Sequence, residues 1–223
     1  DQDGIVTSAL DGPDGVAITT TNVRGMVLDG AALAARGVVR ATVDGAAVTL
    51  VDGPVEVGPQ AGKRPDRYGP FNQAMATPWC WVYPDTGSPA YRFYAGYLAS
   101  YWAIIGNGAA CALPASEVDA TLRAERNLIW LGVSSADVGV SGLPFSWSRD
   151  AIMAGATTTG DAALAFVYPS GDRLDGFIST TRGEEQLLYS IIPFTSRFAL
   201  PDYLVFTRDG ATASGFFDSE WNY

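Results

Sequence analysis

Glu184 and Glu185 stand side by side in TRGEEQLL, and Glu220 precedes Trp221 in the tail DSEWNY. Paired carboxylates are the working groups of glycoside hydrolysis, where one gives a proton and the other acts as nucleophile or base across the sugar bond. Adjacent residues on a strand point to opposite faces, so Glu184 and Glu185 do not form such a pair by themselves. Trp221 beside Glu220 is a usable sugar platform. With 24 acids in the chain, these three read first as solvated turn residues.

Other chemistries drop out on composition. The chain has no histidine, which removes Ser-His-Asp and Cys-His nucleophiles and every histidine-based metal site. Neither GxGxxG nor GxxxxGK[ST] occurs, so nucleotide binding has no support in the sequence. Calcium is the one metal the sequence leaves open. Asp1, Asp3, Asp11 and Asp14 crowd the opening DQDGIVTSALDGPDG, but their spacing departs from the EF-hand loop. They are read as turn residues, with no cofactor expected.

Aromatic recognition is the remaining candidate. The stretch TPWCWVYPDTGSPAYRFY holds Trp79, Trp81, Tyr83, Tyr91, Phe93 and Tyr94. Strand alternation puts Trp79, Trp81 and Tyr83 on one face. Exposed, that face is a stacking platform for sugar rings or a protein contact; buried, it is core. Asp85, Trp147 and Arg149 are the candidates for polar or stacking contacts around it.

The elements that must position these residues come in two textures. Asp-Gly occurs eight times, six of them within the first 53 residues and each beside runs of Val, Ala and Thr. Asp-Gly accepts the positive φ of two-residue hairpins, so the N-terminal third predicts short strands at 5–9, 16–21, 23–28, 38–43, 46–51 and 54–57, with a helical turn at 31–35. Residues 1–67 contain no Phe, Tyr or Trp; all 26 aromatics follow. Aromatics supply most of the area of a core. A segment without them is expected to be thin and to gain stability from copies of itself.

The stretch GPQAGKRPDRYGP reads as a break, giving a slender segment 1–60, a linker 61–70 and an aromatic-rich head 71–223. Head strands are predicted at 79–83, 128–133, 163–168, 176–180, 186–192, 203–207 and 211–217. Residues 91–105 fit a helical stripe and an alternating strand alike, and Gly96 with the aromatic density favours strand. A helix is predicted from the capping signal at Pro114, Ser116 and Asp119, with Val118, Leu122 and Leu128 inward. The expected fold class is mostly β: a hairpin-rich N-terminal part and a larger antiparallel sandwich or jelly-roll-like domain with one short helix.

The formal charge of −10 argues against nucleic acid and anionic membranes. No apolar run approaches the ~20 residues that span a bilayer. Cys80 and Cys111 are read as free, buried thiols, although a secreted chain could join them. Opening on Asp rather than Met, the chain reads as processed or trimmed. Together these features predict a homo-oligomeric, trimer-forming virion fibre or spike, without enzymatic activity, that meets other virion proteins and binds a host-surface glycan or protein. A jelly-roll capsid or decoration protein is the second reading. A secreted carboxylate-dependent carbohydrate-active enzyme is the third. The expected location is the virion or the extracellular space.

Overall fold

A computed structural model describes residues 4–23, 25–58, 62–64, 67–106, 108–191 and 200–223. Asp1, Asp3, Arg24 and Ile192, together with linker residues Ala61, Pro65 and Asp66, lie outside the described residues. The chain divides into two compact units, 1–64 and 65–223.

The first unit contains β1 (Ile5–Leu10), β2 (Gly15–Thr21), β3 (Met26–Asp29), α1 (Gly30–Ala35), β4 (Arg40–Val43), β5 (Ala46–Val48) and β6 (Pro54–Val57). Four strands form a sheet in the order β1-β2-β4-β5, and β3 pairs with β6 separately. The Asp-Gly signal works as expected between β4 and β5, where Asp44 and Gly45 both hold positive φ, 51° and 81°. The Asp44 carboxylate also accepts from Thr20 N and Oγ1, both at 2.7 Å, and these bonds hold it below its ordinary value. Elsewhere the dipeptide does other work. Asp29 caps α1 by accepting from Ala32 N at 3.0 Å. The expected hairpin between 46–51 and 54–57 does not form, because β6 returns to β3.

The hydrophobic interior of this unit is small. Among its described residues Ile18, Val38, Ala41 and Val43 are the buried apolar ones, while every residue of β1 is exposed, including Ile5, Val6 and Leu10.

The second unit contains β7 (Trp79–Tyr83), α2 (Pro89–Ile105), β8 (Cys111–Pro114), α3 (Ala120–Glu125), β9 (Asn127–Leu131), β10 (Phe145–Trp147), β11 (Ile152–Ala154), β12 (Thr157–Thr159), β13 (Ala163–Ser170), β14 (Arg173–Thr180), β15 (Tyr203–Thr207) and β16 (Gly210–Gly215). Strands β10 to β12 form a small meander, and the rest form a seven-stranded sheet in the order β16-β15-β13-β14-β9-β7-β8. The protein is β-rich, as its turn-punctuated composition implies. The antiparallel expectation fits one half of the main sheet, from β16 to β14. In the other half β14, β9, β7 and β8 run parallel.

Three local readings need correction. Residues 91–105 are helix, not strand: Ser88 caps α2 and Pro89 opens it, and Tyr91, Tyr94, Ala95 and Leu98 are buried at helical spacing. The helix built on the capping signal starts later, with the Asp119 carboxylate accepting from Leu122 N at 2.7 Å; Ala115–Glu117 is a 3₁₀ turn and Leu128 belongs to β9. Glu185–Ser190 is 3₁₀ helix where a strand was expected.

The cysteines are also corrected. Cys80 and Cys111 are directly paired across the parallel strands β7 and β8, with Cα atoms 4.7 Å apart, and form a disulfide. Register alone brings them together, which sequence spacing does not reveal.

The core gathers on the sheet. Phe166 and Phe177 face each other across β13 and β14 and stack at 4.6 Å, with Trp147 packed edge-on to both at 5.4 and 5.6 Å.

Candidate functional site

The parallel half of the sheet creates the site. From β7 the chain crosses through α2 to β8 on one side, then passes through α3 to β9 on the other side of β7. The strand order therefore reverses at β7, and the segments leaving β7 and β9 diverge. In sheets of this kind ligands settle outside the carboxyl ends of the strands at such a reversal, because the diverging connections leave a crevice. Here the crevice is a cleft of about 750 Å³. Its walls come from the segments after all four parallel strands: Pro84–Ser88 after β7, Ala115 after β8, Gly132–Ser134 with Asp137 after β9, and Arg182 with Glu185 after β14. Tyr91 and Arg149 complete it.

Each wall is fixed by contacts that the sequence sets up. The Asp85 carboxylate accepts from Ser116 N at 3.0 Å and from the Ser116 hydroxyl, which ties the turn after β7 to the turn after β8. Tyr91, buried in the first turn of α2, bonds through its hydroxyl to Thr180 O at 3.2 Å and Thr180 Oγ1 at 2.9 Å, docking the helix on the end of β14. The Arg149 guanidinium lies over the Tyr91 ring, 5.4 Å from its centroid, and donates to Glu185. Arg149 Nη1 is buried without a hydrogen-bond partner. Asp137 accepts from the Ser134 hydroxyl at 2.6 Å. Arg182, mostly exposed, lies 3.5 Å from Asp150.

Electrostatics separate the acids. Burial pushes the Glu185 carboxyl up, but the Glu185 and Gly183 backbone and the Arg149 guanidinium outweigh it and hold the group below its usual range. Glu185 is thus a standing anion, unsuited to giving a proton near neutrality. Its neighbour Glu184 turns away and takes Arg208 on both oxygens, at 2.7 and 2.9 Å; that interaction lowers its carboxyl as well. The two adjacent glutamates do not face each other across the cleft, as their adjacency implied.

The residues singled out in the sequence fall into two groups. Asp85, Tyr91 and Arg149 come together in the cleft wall. Trp79, Trp81 and Trp147 are core, so the exposed aromatic platform is corrected: β7 is covered on both faces, with Cys80 and Val82 as buried as the tryptophans. Tyr83 is half-buried at the end of β7. Trp147 acts on the site indirectly. Its Nε1 donates to Val133 O at 2.7 Å and its backbone N to Ser135 Oγ at 3.0 Å, which holds the segment after β9 in place. Trp221 is buried against Tyr168 and Phe217, and Glu220 is exposed beside it. Gly132, Ser134, Asp137 and Arg182 were missed, since their role follows from strand order rather than from any motif.

Asp14 pairs with Arg40 at 2.9 Å. Among the described residues no group of three or more Cys, Asp or Glu side chains is arranged to hold a metal ion. Among them, too, no helix is long and apolar enough to cross a membrane. No family model, curated protein or solved structure matches the chain.

Proposed function

We propose that this chain is an assembling recognition protein: the second unit binds a surface glycan in the cleft, and the first unit joins copies of the chain. The observation that carries the reading is the cleft at the reversal of strand order, walled by guanidinium, carboxylate and hydroxyl groups. Sugars present closely spaced hydroxyls that both donate and accept, and a mixed wall of this kind answers both. The assembly part is supported by β1, an edge strand with unpaired backbone and exposed Ile5, Val6 and Leu10, on a unit with few buried apolar side chains. A virion fibre or spike is the setting that uses both features, since several copies bring avidity to a weak single site.

A glycan screen with the full chain, read alongside its mass by light scattering, tests the proposal. The expected result is retention of particular glycans without their cleavage and a mass of several copies, with three favoured. A single-copy mass removes the assembly part. No retained glycan removes the recognition part. Release of new reducing ends moves the chain to the carboxylate-dependent enzyme reading.

A further inference from the structure

Resting on the glycan reading above, we infer that the cleft selects neutral sugars and rejects acidic ones. Its wall carries two guanidinium groups, Arg149 and Arg182, against three carboxylates, Asp85, Asp137 and Glu185. Glu185 is already committed to Arg149 and Asp150 lies beside Arg182, so both cations are offset by acids of the protein itself. Asp85 and Asp137 are engaged by serine hydroxyls rather than by cations. The field inside the cleft is therefore negative. A sugar carboxylate entering it meets like charge at short range, where partial exclusion of water strengthens repulsion.

Neutral hydroxyls fit the same groups. Each carboxylate has lone pairs to spare, because an ionised carboxylate accepts about four hydrogen bonds. Adjacent sugar hydroxyls donate to Asp85 and Asp137. A third sugar oxygen accepts from Arg149, whose guanidinium lines the cleft and whose Nη1 has no hydrogen-bond partner. The Tyr91 ring is already covered by Arg149, so recognition runs through hydrogen bonds rather than ring stacking.

The test is calorimetric titration of the full chain with sugars that differ at one group: glucose, galactose and mannose, the uronic acids of the first two, and glucosamine. At least one neutral hexose should bind tenfold or more tightly than its uronic acid, with the gap narrowing as salt rises. Asp137→Asn, which keeps the shape and removes a charge, should shrink that gap several-fold, because it weakens the neutral sugar by one charged acceptor and relieves the repulsion felt by the uronic acid. Arg149→Gln should weaken the neutral sugar about tenfold, the worth of a hydrogen bond from a charged donor. Arg182→Gln, on the exposed rim, serves if Arg149→Gln does not fold; it should widen the gap further, because it removes a cation. A uronic acid binding as tightly as its neutral partner overturns the inference and leaves glycan recognition standing. So does glucosamine binding tenfold more weakly than glucose, because a negative field favours its ammonium group. Failure of every sugar here, together with an empty glycan screen, removes the recognition reading itself.

Discussion

The ring of Tyr91 occupies the space in which a side chain on Gly132 would sit: a Cβ added at Gly132 would lie 2.4 Å from three ring atoms. Gly132 also holds φ at +75°, and its N–H donates to Ile178 O at 2.7 Å. Position 132 thus has to be glycine for two separate reasons, one conformational and one steric. Gly132→Ala should cost about 2–4 kcal/mol, from left-handed backbone strain and overpacking together. Urea denaturation measures the loss, and glycan binding should fall with it as Tyr91 is displaced from Thr180. A variant as stable as the parent would mean the ring is free to move aside.

Tyr91→Phe separates the hydroxyl from the ring. It leaves the packing against Gly132 and removes the two contacts to Thr180. The expected loss is about 1–2 kcal/mol, the ordinary value for a buried hydroxyl bond. A loss under a few tenths in the same denaturation assay would place the docking of α2 elsewhere.

Asp175 gives the fold a pH dependence. It is buried on β14, accepting from Leu128 N at 2.8 Å and Trp130 Nε1 at 3.2 Å. Burial, only partly offset by these bonds, raises its carboxyl from 3.8 to about 6. Between those values the folded protein binds the proton more tightly than the unfolded chain. The contribution is therefore complete below pH 3.8 and is lost as pH rises through about 6. Relative to Asp175→Asn, the native protein should lose up to about 3 kcal/mol between pH 4 and pH 6.5. Parallel stability profiles for the two proteins would refute this.

The disulfide makes a fourth stability test. Its two cysteines are 31 residues apart, and β8 is the edge strand it anchors to β7. Reduction, or Cys111→Ala, should destabilise the protein by roughly 2–4 kcal/mol, as expected for closing a loop of that length. Under reducing conditions the parent and Cys111→Ala should unfold together, and a persistent gap would point to a packing role for the sulfur. Because β8 leads into Ser116, glycan affinity should fall in parallel with the loss of the bond.

The assembly proposal is checked at β1. Lysine at exposed edge positions opposes strand addition without touching a core. Ile5→Lys with Leu10→Lys should reduce the light-scattering mass to one copy while changing single-chain stability by less than about 0.5 kcal/mol per site. An unchanged multimeric mass would move the contact to another surface.

The sequence was most legible where the signal is local. Asp44-Gly45 turned as its backbone preferences require, and β7, β13 and β15 lie where runs of apolar and β-branched residues placed them. It was least legible where order in space decides. The stripe Phe93, Tyr97, Tyr101 and Ile105 served helix and strand equally, yet α2, started by Ser88 and Pro89, buries Tyr91, Tyr94 and Leu98 instead. Trp79 and Trp81 alternate as a half-exposed strand would, yet a parallel central strand is covered on both sides, so alternation carried no information about exposure. Asp85 and Arg149 were picked out beside an aromatic stretch, but they share a cleft with Asp137 because β7 and β9 are neighbours across the reversal.

Strand β14 joins the two halves of the sheet, and that has a kinetic consequence. On one side it meets β13, its hairpin partner around Gly171; on the other it meets β9, far back along the chain. Chain closure favours the near partner first. The hairpin should form early and serve as the template on which β9 and then β7 are laid down. The cleft, which exists only once those parallel strands are in place, would then be among the last features of the molecule to mature.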